Sequence, residues 1–277
     1  MSGAEAFWIA ALLASVCFVT CAAQLRGLDR RTAYLAGLGA LAGGLIGGAL
    51  LGLFDYGWED HTWNLFARGK SFCGGLVGGA TAAALFLAWR KVSISKYGDI
   101  LVTALALGYA IGRIGCFLNG CDFGIRTDLP WGVQYPPGTE AYGDHLSHGW
   151  IVPGAGSSLP VHPVQLYAAA CGALILFVLL LTKEGAPGKR LAGFALLYGA
   201  YRFPMEWLRG DFKAFAGPFS LPQVVSLSLI ISGGAGWWIL RQRIGRGAPD
   251  HSGSTGKPAE PTQPDSAMMV RSSRPVS

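Results

Sequence analysis

The sequence predicts an all-α fold, a polytopic membrane helix bundle of about seven transmembrane helices with a periplasmic loop subdomain. Apolar residues make up 51% of the 277 residues and charged residues only 14%, well below the roughly 25% of a soluble domain. Charged residues are also absent from four long runs, residues 6–25, 32–54, 71–89 and 214–240. Each run can cross a bilayer core of about 30 Å as a helix, whereas a soluble core helix of that length would carry a polar stripe.

The predicted spans follow the apolar runs along the chain. They cover residues 6–25, 33–54, 71–89, 99–118, 163–182, 191–208 and 221–240. The longest connection, residues 119–161, is rich in Gly, Pro, Asp and Trp, and ordered loops of this length are usually functional. We therefore expect one membrane domain over residues 1–246, with residues 119–161 as its periplasmic arm. Residues 247–277 are dominated by Ser, Pro, Gly and Thr and are expected to form a disordered cytoplasmic tail.

The basic residues in the loops predict the orientation. Loops on one side carry Arg26, Arg30, Arg31, Arg90, Lys91, Lys96, Lys183, Lys189, Arg190, Arg241, Arg243 and Arg246. Loops on the other side carry only Arg68, Lys70, Arg126, Arg209 and Lys213. The positive-inside rule places the first set in the cytoplasm. The chain is therefore expected in the bacterial inner membrane, with its N-terminus in the periplasm and its C-terminus in the cytoplasm.

The net charge of +6 reflects this topology and does not indicate a nucleic-acid partner, because the sequence has no basic helix and no aromatic-basic platform. None of the six cysteines is in a C-x-x-C pair, so neither a metal site nor a thioredoxin-like role is predicted. A disulfide between Cys116 and Cys121 is left open. No cofactor is expected.

Glycines recur at four-residue spacing in spans two and three. They are Gly43, Gly44, Gly47, Gly48 and Gly52 in the second span and Gly74, Gly75, Gly78 and Gly79 in the third. Small residues one turn apart allow helix backbones to approach closely in lipid. The pattern predicts tight helix packing.

Three ionisable residues lie within predicted spans, where such groups are costly and are usually functional. Arg202 and Glu206 are four residues apart and can pair on one helix face, with Pro204 between them loosening the helix. Arg113 has no acid on its own helix stripe, where its neighbours are Tyr109 and Cys116.

An unpaired arginine near the periplasmic end of a span indicates an anionic ligand, and a guanidinium suits phosphate because it donates two parallel hydrogen bonds. With Arg202 and Arg209 on the same side, we expect a shared site for lipid phosphate. Snorkelling of Arg113 to the interface and a purely structural Arg202–Glu206 pair are the alternatives. His162, with Gln165 and Tyr167 following, is either a proton carrier or an interface hydrogen-bonding group.

Six short motifs occur in order between residues 70 and 226. Along the chain they are KSFCGG at residues 70–75, GRIGCFLNG at 112–120, PWGVQYP at 130–136, HPVQLY at 162–167 and YRFPMEWLR at 201–209. The sixth is the pair of Gln223 and Ser226 in the last span. Together they resemble the prolipoprotein diacylglyceryl transferases. Cys73, Cys116 and Cys121 stand where the family pattern has histidine, asparagine and an acid, and Asp122 follows Cys121.

The resemblance implies transfer of diacylglyceryl from phosphatidylglycerol, a membrane lipid, to the lipobox cysteine thiol of prolipoproteins, which bind through their signal peptides. It implies catalytic roles for Arg113, Arg202, Glu206, His162 and Cys73. It also implies lipid or substrate binding by Asn119, Gly120, Gly124, Tyr109, Gln165, Tyr167, Arg209 and Gln223.

The base that would deprotonate the thiol is left open. His162 is the best candidate by its usual pKa, and thiol activation by the arginines is the alternative. Two other functions are also kept: a non-catalytic or altered-specificity lipid-binding paralogue, and a small-anion transporter. A transporter would be expected to show internal repeats, and none is evident.

Overall fold

A computed structural model describes residues 3–56, 72–183, 185–210 and 214–246. The predicted tail, residues 247–277, lies outside the described residues, as do Lys70 and Ser71 of the KSFCGG motif.

The described chain is a helix bundle, as predicted. Its helices are α1 (Gly3–Leu25), α2 (Arg30–Tyr56), α3 (Phe72–Trp89), α4 (Ile94–Asn119), α5 (Glu140–Ser147), α6 (Val164–Leu181), α7 (Lys189–Met205) and α8 (Leu221–Arg246), with a 3-10 turn (Glu206–Leu208) after α7. Four helices are longer than predicted, α1, α2, α4 and α8, and the last two differ most. α4 begins at Ile94 because Ser93 caps it by accepting from the Lys96 amide, and α8 continues to Arg246.

Within the described residues, six helices are long and apolar enough to cross a membrane: α1, α2, α3, α4, α6 and α8. The predicted sixth span corresponds to α7, which has 17 residues and begins with Lys189 and Arg190. The 3-10 turn extends it by three residues. This change of helix type follows Pro204, which cannot donate to the preceding turn. The chain is thus a multi-pass membrane protein in which α7 is shorter than the six candidate spans and carries Arg202 in its last turn.

The glycine repeats do pack α2 against α3. A Cβ atom on Gly47 would clash with the carbonyl oxygen of Gly74, and one on Gly74 would clash with the carbonyl oxygen of Gly47. Gly43 and Gly78 face each other in the same way. The two backbones therefore touch directly, and the packing predicted from the sequence is confirmed.

α4 is the helix around which the site is arranged, since it packs against α1, α6 and α7. It also holds the start of α7. The buried Asp99 accepts hydrogen bonds of 2.8 Å from the backbone amides of both Gly188 and Leu191, and so satisfies amide groups that the first turn of α7 leaves unpaired. This cap fixes the register of α7 along α4.

Residues 119–161 form an ordered subdomain at the opposite end of α4. It has a small core of Phe123, Tyr135, Ala141 and Val161, and Val161 forms isolated bridges to Arg126 and Val133. Inside it, the buried His145 accepts a hydrogen bond of 3.0 Å from the Leu159 amide, and burial lowers the pKa of His145. The subdomain lies over the bundle because residues 123–125 pair with residues 208–210.

Candidate active site

Three arginines from different parts of the chain line one narrow cleft formed by α4, α6, α7 and the segment that follows α7. Arg113 comes from the last turns of α4, Arg202 from the end of α7, and Arg209 from the segment after the 3-10 turn. The other residues lining the cleft are Tyr109, Val164, Ala168, Tyr201 and Met205. The predicted grouping of the three arginines is therefore present.

The guanidinium of Arg113 is held by aromatic rings on two helices. Its Cζ atom lies 4.9 Å from the ring centroid of Tyr109 on α4 and 5.6 Å from that of Phe72 on α3. Cation–π contacts of this kind are worth about 0.5–2 kcal/mol. The side chain is 9% exposed, so it is buried and does not snorkel to the interface.

The prediction that Arg113 is unpaired is wrong, because Asp122 from the loop subdomain reaches it. Arg113 Nη1 donates to Asp122 Oδ2 at 3.0 Å, and Arg209 Nη2 donates to Asp122 Oδ1 at 2.7 Å. One carboxylate thus bridges two guanidinium groups. Burial alone would raise the pKa of Asp122, but Arg209 and Arg113 outweigh it and hold that pKa well below its usual range.

Backbone pairing places Asp122 between its two partners. Gly124 and Arg209 form an antiparallel bridge, and the Gly210 amide donates to the Phe123 carbonyl at 3.0 Å. Sequence reasoning missed Asp122 because the bridge joins residues 87 positions apart. The acid directly after the GRIGCFLNG motif and Cys121 is the signal that could have identified it.

The predicted pair of Arg202 and Glu206 is confirmed, with Arg202 Nη1 against Glu206 Oε2 and both side chains buried. The other carboxylate oxygen accepts from the Ser220 hydroxyl at 2.9 Å. The buried Gln223 supports this arrangement by accepting from the Ser220 amide at 2.9 Å. Glu206 therefore has both oxygens engaged, and Gln223 positions the pair without lining the cleft.

Tyrosine hydroxyl groups form one wall of the cleft. The hydroxyl oxygens of Tyr109 and Tyr201 are 3.3 Å apart, and the buried Tyr198 lies edge-on to Tyr109. Cys73 is buried on α3 beside Phe72 and within electrostatic range of Tyr198. Cys73 is therefore not among the residues that line the cleft.

His162 is also outside the cleft lining. Its Nδ1 atom lies 3.4 Å from the Tyr167 hydroxyl, which in turn accepts from Trp131 Nε1 at 2.7 Å. His162 is half-buried, and its amide donates to the Ile125 carbonyl at 3.0 Å. The structure therefore joins His162 to Tyr167, as the sequence suggested, but at the base of the loop subdomain.

The remaining predicted binding residues shape the turn that carries Asp122. Gly120 ends α4 with φ +70°, and a Cβ atom there would clash with Thr139 and Tyr135. A Cβ atom on Gly124 would likewise clash with the carbonyl oxygen of His162. The fully buried Gln165 donates to the Cys121 carbonyl at 2.8 Å, and the exposed Asn119 precedes the turn. These residues hold the loop in place over the arginines.

Comparison with known proteins gives consistent results. A family model described as prolipoprotein diacylglyceryl transferase matches residues 6–239. The chain is 34% identical over 204 residues to a phosphatidylglycerol–prolipoprotein diacylglyceryl transferase of Pseudoalteromonas translucida, covering 71% of this chain and 70% of that protein. It is 31% identical over 205 residues to the protein of that name from Geobacter sulfurreducens, with 71% and 72% covered. For the Clostridium tetani protein the identity is 30% over 228 residues, with 80% and 86% covered.

Proposed function

The chain belongs to the prolipoprotein diacylglyceryl transferase family, and we propose that the arginine cleft is where it carries out the transfer. The reaction moves the diacylglyceryl group of phosphatidylglycerol onto the thiol of a prolipoprotein. The receiving group is the lipobox cysteine next to the signal peptide, and glycerol phosphate is released.

The transfer is a displacement at a glyceryl carbon. The cysteine sulfur forms a new S–C bond, the C–O bond to phosphate breaks, and its electron pair leaves on the phosphate oxygen. The thiol proton leaves to solvent or to the departing phosphate. Negative charge therefore grows on the phosphate in the transition state, and fixed cations at that position lower the barrier.

The arrangement of Arg113 is the observation that carries this proposal. Among the described residues, Asp122 is the one hydrogen-bond acceptor that the Arg113 guanidinium contacts. A guanidinium has five N–H donors, so several donors of Arg113 have no hydrogen-bond acceptor among the described residues. Phosphate oxygens are the acceptors that this planar fork fits best. The Asp122 side chain is 35% exposed and contacts both Arg113 and Arg209.

The same geometry favours activation of the thiol by positive charge. Both oxygens of Glu206 are already bonded, and neither His162 nor Cys73 lines the cleft. A thiol close to guanidinium groups has a lowered pKa. We infer that Arg113, Arg202 and Arg209 stabilise the substrate thiolate, while His162 and Tyr167 support the loop subdomain.

An in vitro assay tests the function. Purified chain is incubated with phosphatidylglycerol and a lipobox peptide, and the thioether-linked diacylglyceryl peptide is measured by mass spectrometry. Arg113→Ala and Arg202→Ala should each abolish product. Arg90→Ala is the matched control, because Arg90 contacts Thr32 at the other end of the bundle. Lipid binding without product in the unmodified chain would instead indicate a non-catalytic paralogue, the outcome that Cys73 in place of the family histidine would favour.

We propose the orientation of the chain in the membrane from the distribution of its basic residues. The loop subdomain and the cleft face the periplasm, the substrate side, and residues 247–277 face the cytoplasm of the inner membrane. Single cysteines introduced at Gly138 and at Ser272 in an otherwise cysteine-free chain can be labelled in intact cells with a membrane-impermeant maleimide. Labelling is expected at position 138 only. Labelling at position 272 would overturn the orientation.

A further inference from the structure

The end of α4 brings two cysteines together through its backbone geometry. The amide of Gly120 donates to the Phe117 carbonyl, and the amide of Cys121 donates to the Cys116 carbonyl, both at 3.3 Å. With Gly120 at φ +70°, this is the Schellman arrangement of a helix C-terminus. Such an arrangement places the side chains of the residues at its two ends, here Cys116 and Cys121, against each other.

The two thiols form a compact cluster beside the arginine cleft. The sulfur atoms of Cys116 and Cys121 and a carboxylate oxygen of Asp122 all lie within 4.8 Å of one another. Both cysteines are partly exposed. Both are also free thiols in this structure.

A cation is a poor occupant of this cluster. Its one carboxylate is already shared by Arg113 and Arg209 at 3.0 and 2.7 Å. A bound metal ion would have to displace these guanidinium groups and would lie next to two positive charges. Oxidation of the thiols neither displaces a guanidinium group nor adds a positive charge, because a disulfide is neutral.

We propose that Cys116 and Cys121 are a thiol-oxidation site that closes to an intramolecular disulfide at the edge of the arginine cleft. The reaction converts two S–H groups into one S–S bond and releases two protons. The two electrons pass to a disulfide-bearing oxidant, either a thiol oxidoreductase or a small disulfide, which is reduced to two thiols.

The surroundings of the pair give the order of the steps. Cys116 lies one helical turn from Arg113, whose positive charge favours the thiolate that attacks the oxidant. Contact with the Cys116 sulfur raises the pKa of the Cys121 thiol well above its usual range, so Cys121 keeps its proton at first. Once Cys116 is bonded to the oxidant, its sulfur no longer carries the negative charge that favours the protonated form of Cys121. Cys121 then attacks the Cys116 sulfur and the oxidant leaves as a thiol.

Formation of the disulfide also affects the neighbouring carboxylate of Asp122. The sulfur atoms move from contact distance to about 2.05 Å, and Cys121 is joined directly to Asp122. The oxidation state of the pair therefore sets how the turn presents Asp122 to Arg113 and Arg209. If the transfer reaction proposed above does occur, this cross-link lies directly beside its site.

Thiol counting on the purified full chain tests the proposal without an activity measurement. The chain is treated with oxidised glutathione, denatured, alkylated with iodoacetamide, and then reduced and labelled with N-ethylmaleimide before peptide mapping. Cys116 and Cys121 should carry N-ethylmaleimide in more than half of the molecules. The other cysteines should carry iodoacetamide; they are Cys17, Cys21, Cys73 and Cys171. The intact mass should fall by about 2 Da on oxidation, for two lost hydrogens, and return after dithiothreitol.

Three variants sharpen the result. Cys116→Ser and Cys121→Ser should each abolish the mass change, while Cys171→Ser, at another partly buried cysteine, should leave it intact. Iodoacetamide labelling of both thiols after the oxidant would overturn the proposal. So would a cross-link to another cysteine, or Zn²⁺ retained at unit stoichiometry and lost in either single variant. Because transfer is not measured, an inactive chain would leave this test unaffected.

Discussion

Replacing Arg113 with lysine separates positive charge from guanidinium geometry at the centre of the cleft. Lysine keeps the charge near Asp122, but it has neither the planar fork nor the flat face that Arg113 places 4.9 Å from the Tyr109 ring centroid. The lost stacking costs about 1 kcal/mol. One lost charge-assisted hydrogen bond to the phosphate costs about 1.5 kcal/mol more.

The hydrogen bond forms only with bound phosphate, so its loss corresponds to a fall in kcat/KM of about 10-fold. The stacking is also present in the free protein, so its loss lowers the free energy of unfolding instead. Alanine removes the charge as well and should cost about 3–4 kcal/mol, or 10²–10³-fold. The assay follows formation of the thioether-linked peptide at several phosphatidylglycerol concentrations. Arg90→Lys is the control and should stay within twofold of the unmodified chain.

Arg113→Lys turnover within threefold of the unmodified chain would refute the reasoning. It would show that a point charge is enough and that the fork has no catalytic role. Thermal unfolding of the lysine variant should show that it is fully folded at the assay temperature, because Arg113 also holds Asp122.

Three further outcomes are expected. Glu206→Gln should lower the free energy of unfolding by about 3 kcal/mol, since it leaves the buried Arg202 without its counter-charge; thermal unfolding followed by tryptophan fluorescence measures this, and an unchanged Tm would contradict it. Asp122→Asn should make the free energy of unfolding fall less steeply as the pH is lowered. The folded pKa of Asp122 is depressed, so its ionised carboxylate stabilises the protein above the unfolded pKa of about 4. This contribution is lost as the pH falls below that value. A Tm series from pH 7 to pH 3, with equal slopes for both chains, would exclude that contribution. Cys73→Ala should keep turnover within about threefold and cost about 1 kcal/mol of stability as a small cavity, whereas a loss above tenfold would give Cys73 a chemical role.

The sequence predicted those features that depend on neighbouring residues. The pair of Arg202 and Glu206 follows from four-residue spacing on one helix. The contact between α2 and α3 follows from their glycine repeats. Both are confirmed in the structure, because helix geometry alone brings the groups together.

Features that depend on the path of the loop could not be predicted in the same way. Asp122 meets Arg209 through an antiparallel bridge between Gly124 and Arg209, and no periodicity connects these positions. His162 belongs to the same set of motifs as Arg113, yet its side chain contacts Tyr167 and does not line the cleft. Residue type indicated which groups can do chemistry, but the loop decides which of them meet.

The placement of Arg202 and Glu206 within one helical turn also bears on how the chain enters the bilayer during synthesis. An isolated charge at the centre of a membrane helix costs several kcal/mol, and α7 carries its own counter-ion through that step. Arg113 does not, since Asp122 follows nine residues later, beyond the end of α4. Arg209 meets the same carboxylate only after a further 87 residues have been made. The cleft is therefore assembled in stages, and it becomes complete only when the late-synthesised segment after α7 pairs with Asp122.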